Sequence, residues 1–69
     1  MSESIAIQLN GEERSVSAAS LAELVIEMGL EQRMIAIELN LEVVPKSQYG
    51  VTHLKEGDRI ELVHMIGGG

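Results

Sequence analysis

Ile5, Ile7 and Leu9 alternate with Ala6 and Gln8, the period of two that marks a strand with one face in a core. Asn10-Gly11 interrupts the alternation before Arg14-Ser15-Val16-Ser17, so the spacing predicts a β-hairpin. Its loop is expected to be longer than two residues because Glu12 and Glu13 add polar length. Ser20-Leu21-Ala22-Glu23 fits a capping box, in which the serine hydroxyl accepts from an early helical amide and the glutamate reaches back. A helix is predicted there. Leu21, Leu24, Val25 and Met28 fall at i, i+3, i+4 and i+7 on one apolar stripe, and Gly29 suits the left-handed residue that ends it.

Met34-Ile35-Ala36-Ile37-Glu38-Leu39 reads as a third strand with Ile35, Ile37 and Leu39 on one face and Asn40 as the turn residue after it. Glu42-Val43-Val44 is a short fourth strand, closed by Pro45, which cannot donate to a ladder and suits a sheet edge. Lys46 to Lys55 has no clear period. It is expected to be a loop with room for a single helical turn, with Tyr49, Val51 and Leu54 sealing the bottom of the core. Glu56-Gly57-Asp58 turns the chain into a last strand, where Ile60 and Leu62 point one way and Glu61 and Val63 the other. That strand is apolar on both faces near its end, as an inner strand should be, and pairing it parallel to the first would put both in the centre of the sheet. The order strand, strand, helix, strand, strand, strand predicts an α+β fold: one mixed sheet of four to five strands with one helix packed across it.

Composition narrows what such a domain can do. Its 69 residues allow one small core. Tyr49 is the single aromatic, so Leu, Ile, Val and Met must fill that core, and a base-stacking nucleic-acid platform is not expected. Eleven acidic residues against five basic ones give a formal charge of −6, which repels phosphate backbones and anionic membranes and favours basic partners. No nucleic acid and no membrane are therefore expected among its partners. Without cysteine there is no disulfide and no protein-borne persulfide, so any sulfur chemistry must use another group. Met1-Ser2-Glu3-Ser4-Ile5 has neither the basic start nor the apolar run of a signal peptide, and a cytoplasmic location is expected.

The last strand-like run, Arg59 to Ile66, gives way to Gly67-Gly68-Gly69. Glycines at this place have no side chains to dock and only lose entropy if fixed, so residues 1–66 read as the folded domain and 67–69 as a flexible tail to be threaded into another protein. Three extended residues reach roughly 10 Å. Val63, Met65 and Ile66, next to this tail, are candidate partner-docking residues, with ordinary packing as the alternative for the first two. His53 and His64 are too isolated to suggest a metal site, Asp58 reads as a turn former, and Glu12, Glu13 and Glu61 as a solvated face. Lys46 and Lys55 read as surface lysines.

Several segments taken in order carry a family resemblance: the Asn10 hairpin, Ser20-Leu21-Ala22-Glu23-Leu24, Leu39-Asn40 with Val43-Val44-Pro45-Lys46, Gly57-Asp58-Arg59-Ile60, and the Gly68-Gly69 end. Together they span nearly the whole chain, which resembles the ubiquitin-like β-grasp sulfur carriers, and among them those of thiamin biosynthesis. It departs from the family pattern at Tyr49, where tryptophan is common, and at Val63, where a larger aromatic is common.

The resemblance implies a carrier with no catalytic residues and no bound cofactor. A ubiquitin-activating-like adenylyltransferase would use ATP to adenylate Gly69, Gly67 and Gly68 would give access, and a thiocarboxylate on Gly69 would deliver sulfur to thiazole synthase. The molybdopterin-synthase small subunit, or a carrier for another client, would share this chemistry. A non-covalent β-grasp interaction module is the reading from another class.

Overall fold

The protein is described by a computed structural model that covers residues 4–65. The strands are β1 (Ile5–Leu9), β2 (Glu12–Val16), β3 (Ile35–Leu39), β4 (Glu42–Val44) and β5 (Arg59–His64). One α-helix, α1 (Leu21–Glu27), follows β2, and a 3-10 helix spans Lys46–Val51. All five strands share one sheet in the order β2-β1-β5-β3-β4, with β1 and β5 parallel and every other pair antiparallel. The expected boundary between residues 66 and 67 lies outside the described residues.

Alternation in the strands and the helical stripe converge on one core. Ile7, Leu21, Leu24, Ile37 and Ile60 are its most fully buried side chains. Each contributes about 1.5–3 kcal/mol by leaving water. Ser20 Oγ accepts from Glu23 N–H at 3.2 Å, while Glu23 Oε1 accepts from Ala19 N–H at 2.9 Å, one residue upstream of the reciprocal bond in a standard capping box. At the other end Gly29, at φ +73°, closes a Schellman motif: its N–H donates to Ile26 O and Leu30 N–H donates to Val25 O, both at 2.9 Å.

Three expectations are corrected. The first hairpin has a two-residue loop, Asn10-Gly11, with Leu9 opposite Glu12. Both loop residues take positive φ, 52° and 82°, the geometry that matches the twist of the flanking strands. Glu12 and Glu13 extend an edge strand whose first four residues are exposed, so polarity there reports an uncovered edge and not a longer loop. The segment after Pro45 is a six-residue 3-10 helix, longer than a single turn. Tyr49 and Leu54 are buried as expected, but Val51 is 67% exposed, because the 3-10 helix turns its Tyr49 side to α1.

Asp58 ends the turn into β5, as its type suggests, and is buried there. Its Oδ2 accepts from Lys55 N–H at 2.8 Å and its Oδ1 from Asn40 Nδ2 at 3.1 Å. Asn40 in turn accepts from Arg59 N–H at 3.0 Å and donates its own N–H to Arg59 O at 2.7 Å. On the opposite side of β5, Asn10 Oδ1 accepts from Leu62 N–H at 2.8 Å and Asn10 N–H donates to Ile60 O at 2.9 Å. One asparagine from each hairpin turn therefore clamps the central strand.

Two predictions follow from these contacts. Asn40→Ala strips a partner from buried Asp58 and from the Arg59 amide, and should lower unfolding free energy by about 1–3 kcal/mol at an unchanged urea m-value. Burial raises the pKa of the Tyr49 hydroxyl, a backbone hydrogen bond with Ile37 offsetting part of the shift. Neutral Tyr49 thus contributes stability that is whole below the unfolded pKa of about 10 and is lost as pH rises through the higher folded value. Urea titrations between neutral and strongly alkaline pH should show a steeper loss in wild type than in Tyr49→Phe.

Candidate functional site

Because successive strand residues face opposite sides, the buried Ile60 and Leu62 fix Glu61 and Val63 on the sheet face that α1 leaves uncovered. The antiparallel β3–β5 register sets Ala36 beside Val63 and Glu38 beside Glu61, and β4 adds exposed Val43 next to Glu38. Met65 follows β5 and donates its N–H to Met34 O at 2.8 Å, which carries the β3–β5 pairing one step toward the chain end. Val63 is 58% and Met65 50% exposed, so neither belongs to the core. Beside them on the same face, Glu38 and Glu61 place two carboxylates directly opposite each other, a like-charge pair whose mutual repulsion a cationic partner would relieve.

Of the residues singled out from the sequence, the structure brings Val63 and Met65 together at the end of β5. Ile66, Gly67, Gly68 and Gly69 lie outside the described residues. Glu12, Glu13 and Glu61 are exposed, as expected. His53 faces Ser20 across an isolated bridge, whereas His64 pairs with Ile35 in the sheet. No group of three His, Asp or Glu side chains placed to hold a metal ion occurs among the described residues. No helix among the described residues is long and apolar enough to cross a membrane.

Sequence reasoning missed Val43 and Met34 as exposed apolar neighbours of this end. Val43 could have been found only with the β3–β4 register in hand, since alternation within a three-residue strand does not say which valine faces out. Met34 lies one residue before β3 begins and is 63% exposed.

Chemically, the face offers an apolar surface beside a carboxylate pair and no nucleophile–base arrangement. Such a face suits docking, with Met65 at its end.

The family model of the ThiS family matches residues 7–69. The sulfur carrier protein ThiS of Bacillus subtilis is 32% identical over 65 residues, covering 91% of this chain and 98% of that protein. A thiazole synthase of Paramagnetospirillum magneticum is 47% identical over 62 residues, covering 88% of this chain. The chain spans only 19% of that synthase's length. Among solved structures, the crystal structure of the thiamine biosynthesis protein (ThiS) from Geobacter metallireducens superposes with a TM-score of 0.79 at 29% identity, covering 94% of this chain and 100% of that one.

If the β5 face is free surface, its substitution should spare the fold. Val63→Ser should change unfolding free energy by no more than about 1 kcal/mol, whereas Leu24→Ala in the core should cost about 2–5 kcal/mol; chemical denaturation of the two variants checks the contrast.

Proposed function

The chain belongs to the ThiS family, with the ubiquitin-like β-grasp fold, and from that membership we propose that it is the sulfur carrier for the thiazole moiety of thiamin, acting through the carboxylate of Gly69. It is a protein substrate and not a catalyst. An ionised carboxylate is a poor electrophile, its pKa lying near 3.3–3.7, roughly the ordinary value for a chain terminus. Activation therefore comes first. A ubiquitin-activating-like adenylyltransferase joins the Gly69 carboxylate to the α-phosphorus of ATP, and pyrophosphate leaves. Sulfide, as HS⁻, then attacks the acyl carbon, the carbon–oxygen bond to the phosphate breaks, and AMP departs with the electron pair, leaving a thiocarboxylate.

Glycine suits both steps. Without a Cβ, Gly67, Gly68 and Gly69 accept dihedrals closed to other residues and leave the reacting carbonyl open on both sides. Val63, Met65 and Ile66 are the apolar residues that seat the body of the carrier while its end is inside the partner. Net charge of −6 draws the carrier toward a basic partner surface and raises the encounter rate.

One observation carries the choice of acceptor: the segment in Paramagnetospirillum magneticum that resembles this chain is built into a longer chain that is a thiazole synthase. Covalent linkage holds two modules at an effective concentration that can reach the millimolar range, a use that makes sense when the two meet in function. This supports thiazole synthase as the protein that receives the sulfur.

Incubation with ATP, the host's adenylating enzyme and a sulfide source should raise the intact mass by the exchange of one oxygen for sulfur, mapped to Gly69. Gly69→Val should melt like wild type yet be adenylated at a small fraction of its rate. Wild-type adenylation of that variant would overturn the mechanism.

A further inference from the structure

The chain's net charge is −6, but one small cleft carries the opposite sign. Arg33 lies in the connection from α1 to β3, where its N–H donates to Leu30 O at 2.9 Å. Lys46 opens the 3-10 helix just after β4. Because β3 runs antiparallel to both β4 and β5, the start of β3, the exit of β4 and the end of β5 meet at one end of the sheet. There Arg33, Met34, Ile35, Lys46 and Met65 line a cleft of about 140 Å³. Two of the chain's five cations share it, no carboxylate of the described residues lines it, and Met65 is the residue from which the chain runs on to Ile66–Gly69.

Long-range charge and this cleft act differently. A net charge of −6 attracts a basic partner over separations up to a Debye length of about 8–10 Å, but that summed attraction barely distinguishes one rotation from another. A local patch of opposite sign does distinguish them: only one docked orientation brings an anionic group of the partner onto it, and every other sets cation against the partner's basic surface. Met34 and Met65, exposed beside the two cations, are apolar groups that a docked partner would cover, and the water this excludes would strengthen such a contact.

We propose that this cleft is the orientation key for thiazole synthase, taking a carboxylate of the synthase between Arg33 and Lys46 so that the carrier's C-terminal segment points into the synthase's active site. The proposal rests on the reading that thiazole synthase is the acceptor. The occupant is an acidic protein side chain because the surroundings are apolar and small, with room for one planar anion.

The test compares Arg33→Glu/Lys46→Glu with Arg14→Glu/Lys55→Glu, which makes the same change in net charge away from the cleft. Affinity for thiazole synthase is measured by titration calorimetry, and thiocarboxylate formation by intact mass with the adenylating enzyme, after melting curves show both variants folded. The cleft variant should bind the synthase about tenfold or more weakly than the control variant while still acquiring sulfur at the control's rate. Arg33→Lys/Lys46→Arg, which keeps both charges, should bind as wild type does. Equal binding by the cleft and control variants would overturn the key while leaving the acceptor intact. Parallel loss of binding and of sulfur acquisition would also overturn it, since the cleft would then serve the activating step. Failure of the wild-type carrier to bind the synthase at all would instead overturn the choice of acceptor.

Discussion

The placement of β5 in the middle of the sheet is the constraint on which the rest of the structure depends. Without it, the β1–β2 and β3–β4 hairpins share no hydrogen bonds and the helix has no continuous surface to cover. The strand is held on both sides by backbone groups and, at its start, by side chains that do the same work as a ladder. Glu56 Oε1 accepts from Ala6 N–H at 3.0 Å, Gly57 N–H donates to Ala6 O at 2.7 Å, and Gln8 N–H donates to Asp58 O at 2.9 Å. Asp58 and Asn40 then fix the other edge. Burying a carboxylate is costly unless its lone pairs are met, and here both oxygens are. No buried side-chain nitrogen or oxygen among the described residues lacks a partner.

The two ends of β5 differ in how they are held: Arg59 and Ile60 pair with β1, while Ile60 to His64 pair with β3. The start of the strand is thus bonded on both sides and its last residues on one, and the start is the part last to open in local fluctuations. The same register delivers Val63 and Met65 to the surface, and brings Arg33 and Lys46 within one cleft beside them. The second hairpin turn has a different character. Asn40 and Leu41 both take positive φ, 52° and 74°, and Leu41 is 72% exposed, whereas the first turn uses glycine at the matching position. A leucine in that region carries strain of order 1 kcal/mol, tolerated because Asn40 is tied into the Asp58 network.

Much of the fold was legible in the residues because local and global signals agree. Ile5-Ile7-Leu9 alternation, the Ser20 cap, the Leu21-Leu24-Val25 stripe and Gly29 each specify one element and one face. What was misread depended on relations between elements. Glu12 and Glu13 look like loop until their partners on β1 are known. Val51 and Tyr49 both read as core residues in sequence, and only the pitch of a 3-10 helix against α1 decides which is buried. Asp58 sits in a turn, as its type suggests, yet its burial follows from Asn40, eighteen residues away. At the candidate site, the exposure of Val63 and Met65 follows from alternation alone, whereas Lys46 reads as an ordinary surface lysine because nothing in one dimension sets it beside Arg33.

The parallel pairing of Leu9 with Ile60 joins positions 51 residues apart, near the two extremes of the chain. Such a contact is slow to form because loop closure must precede its reward, and on a ribosome it cannot form until β5 has left the exit tunnel. Without β5 the facing edges of β1 and β3 are both open at once, so two separate hairpins become a single sheet only when this last strand arrives between them.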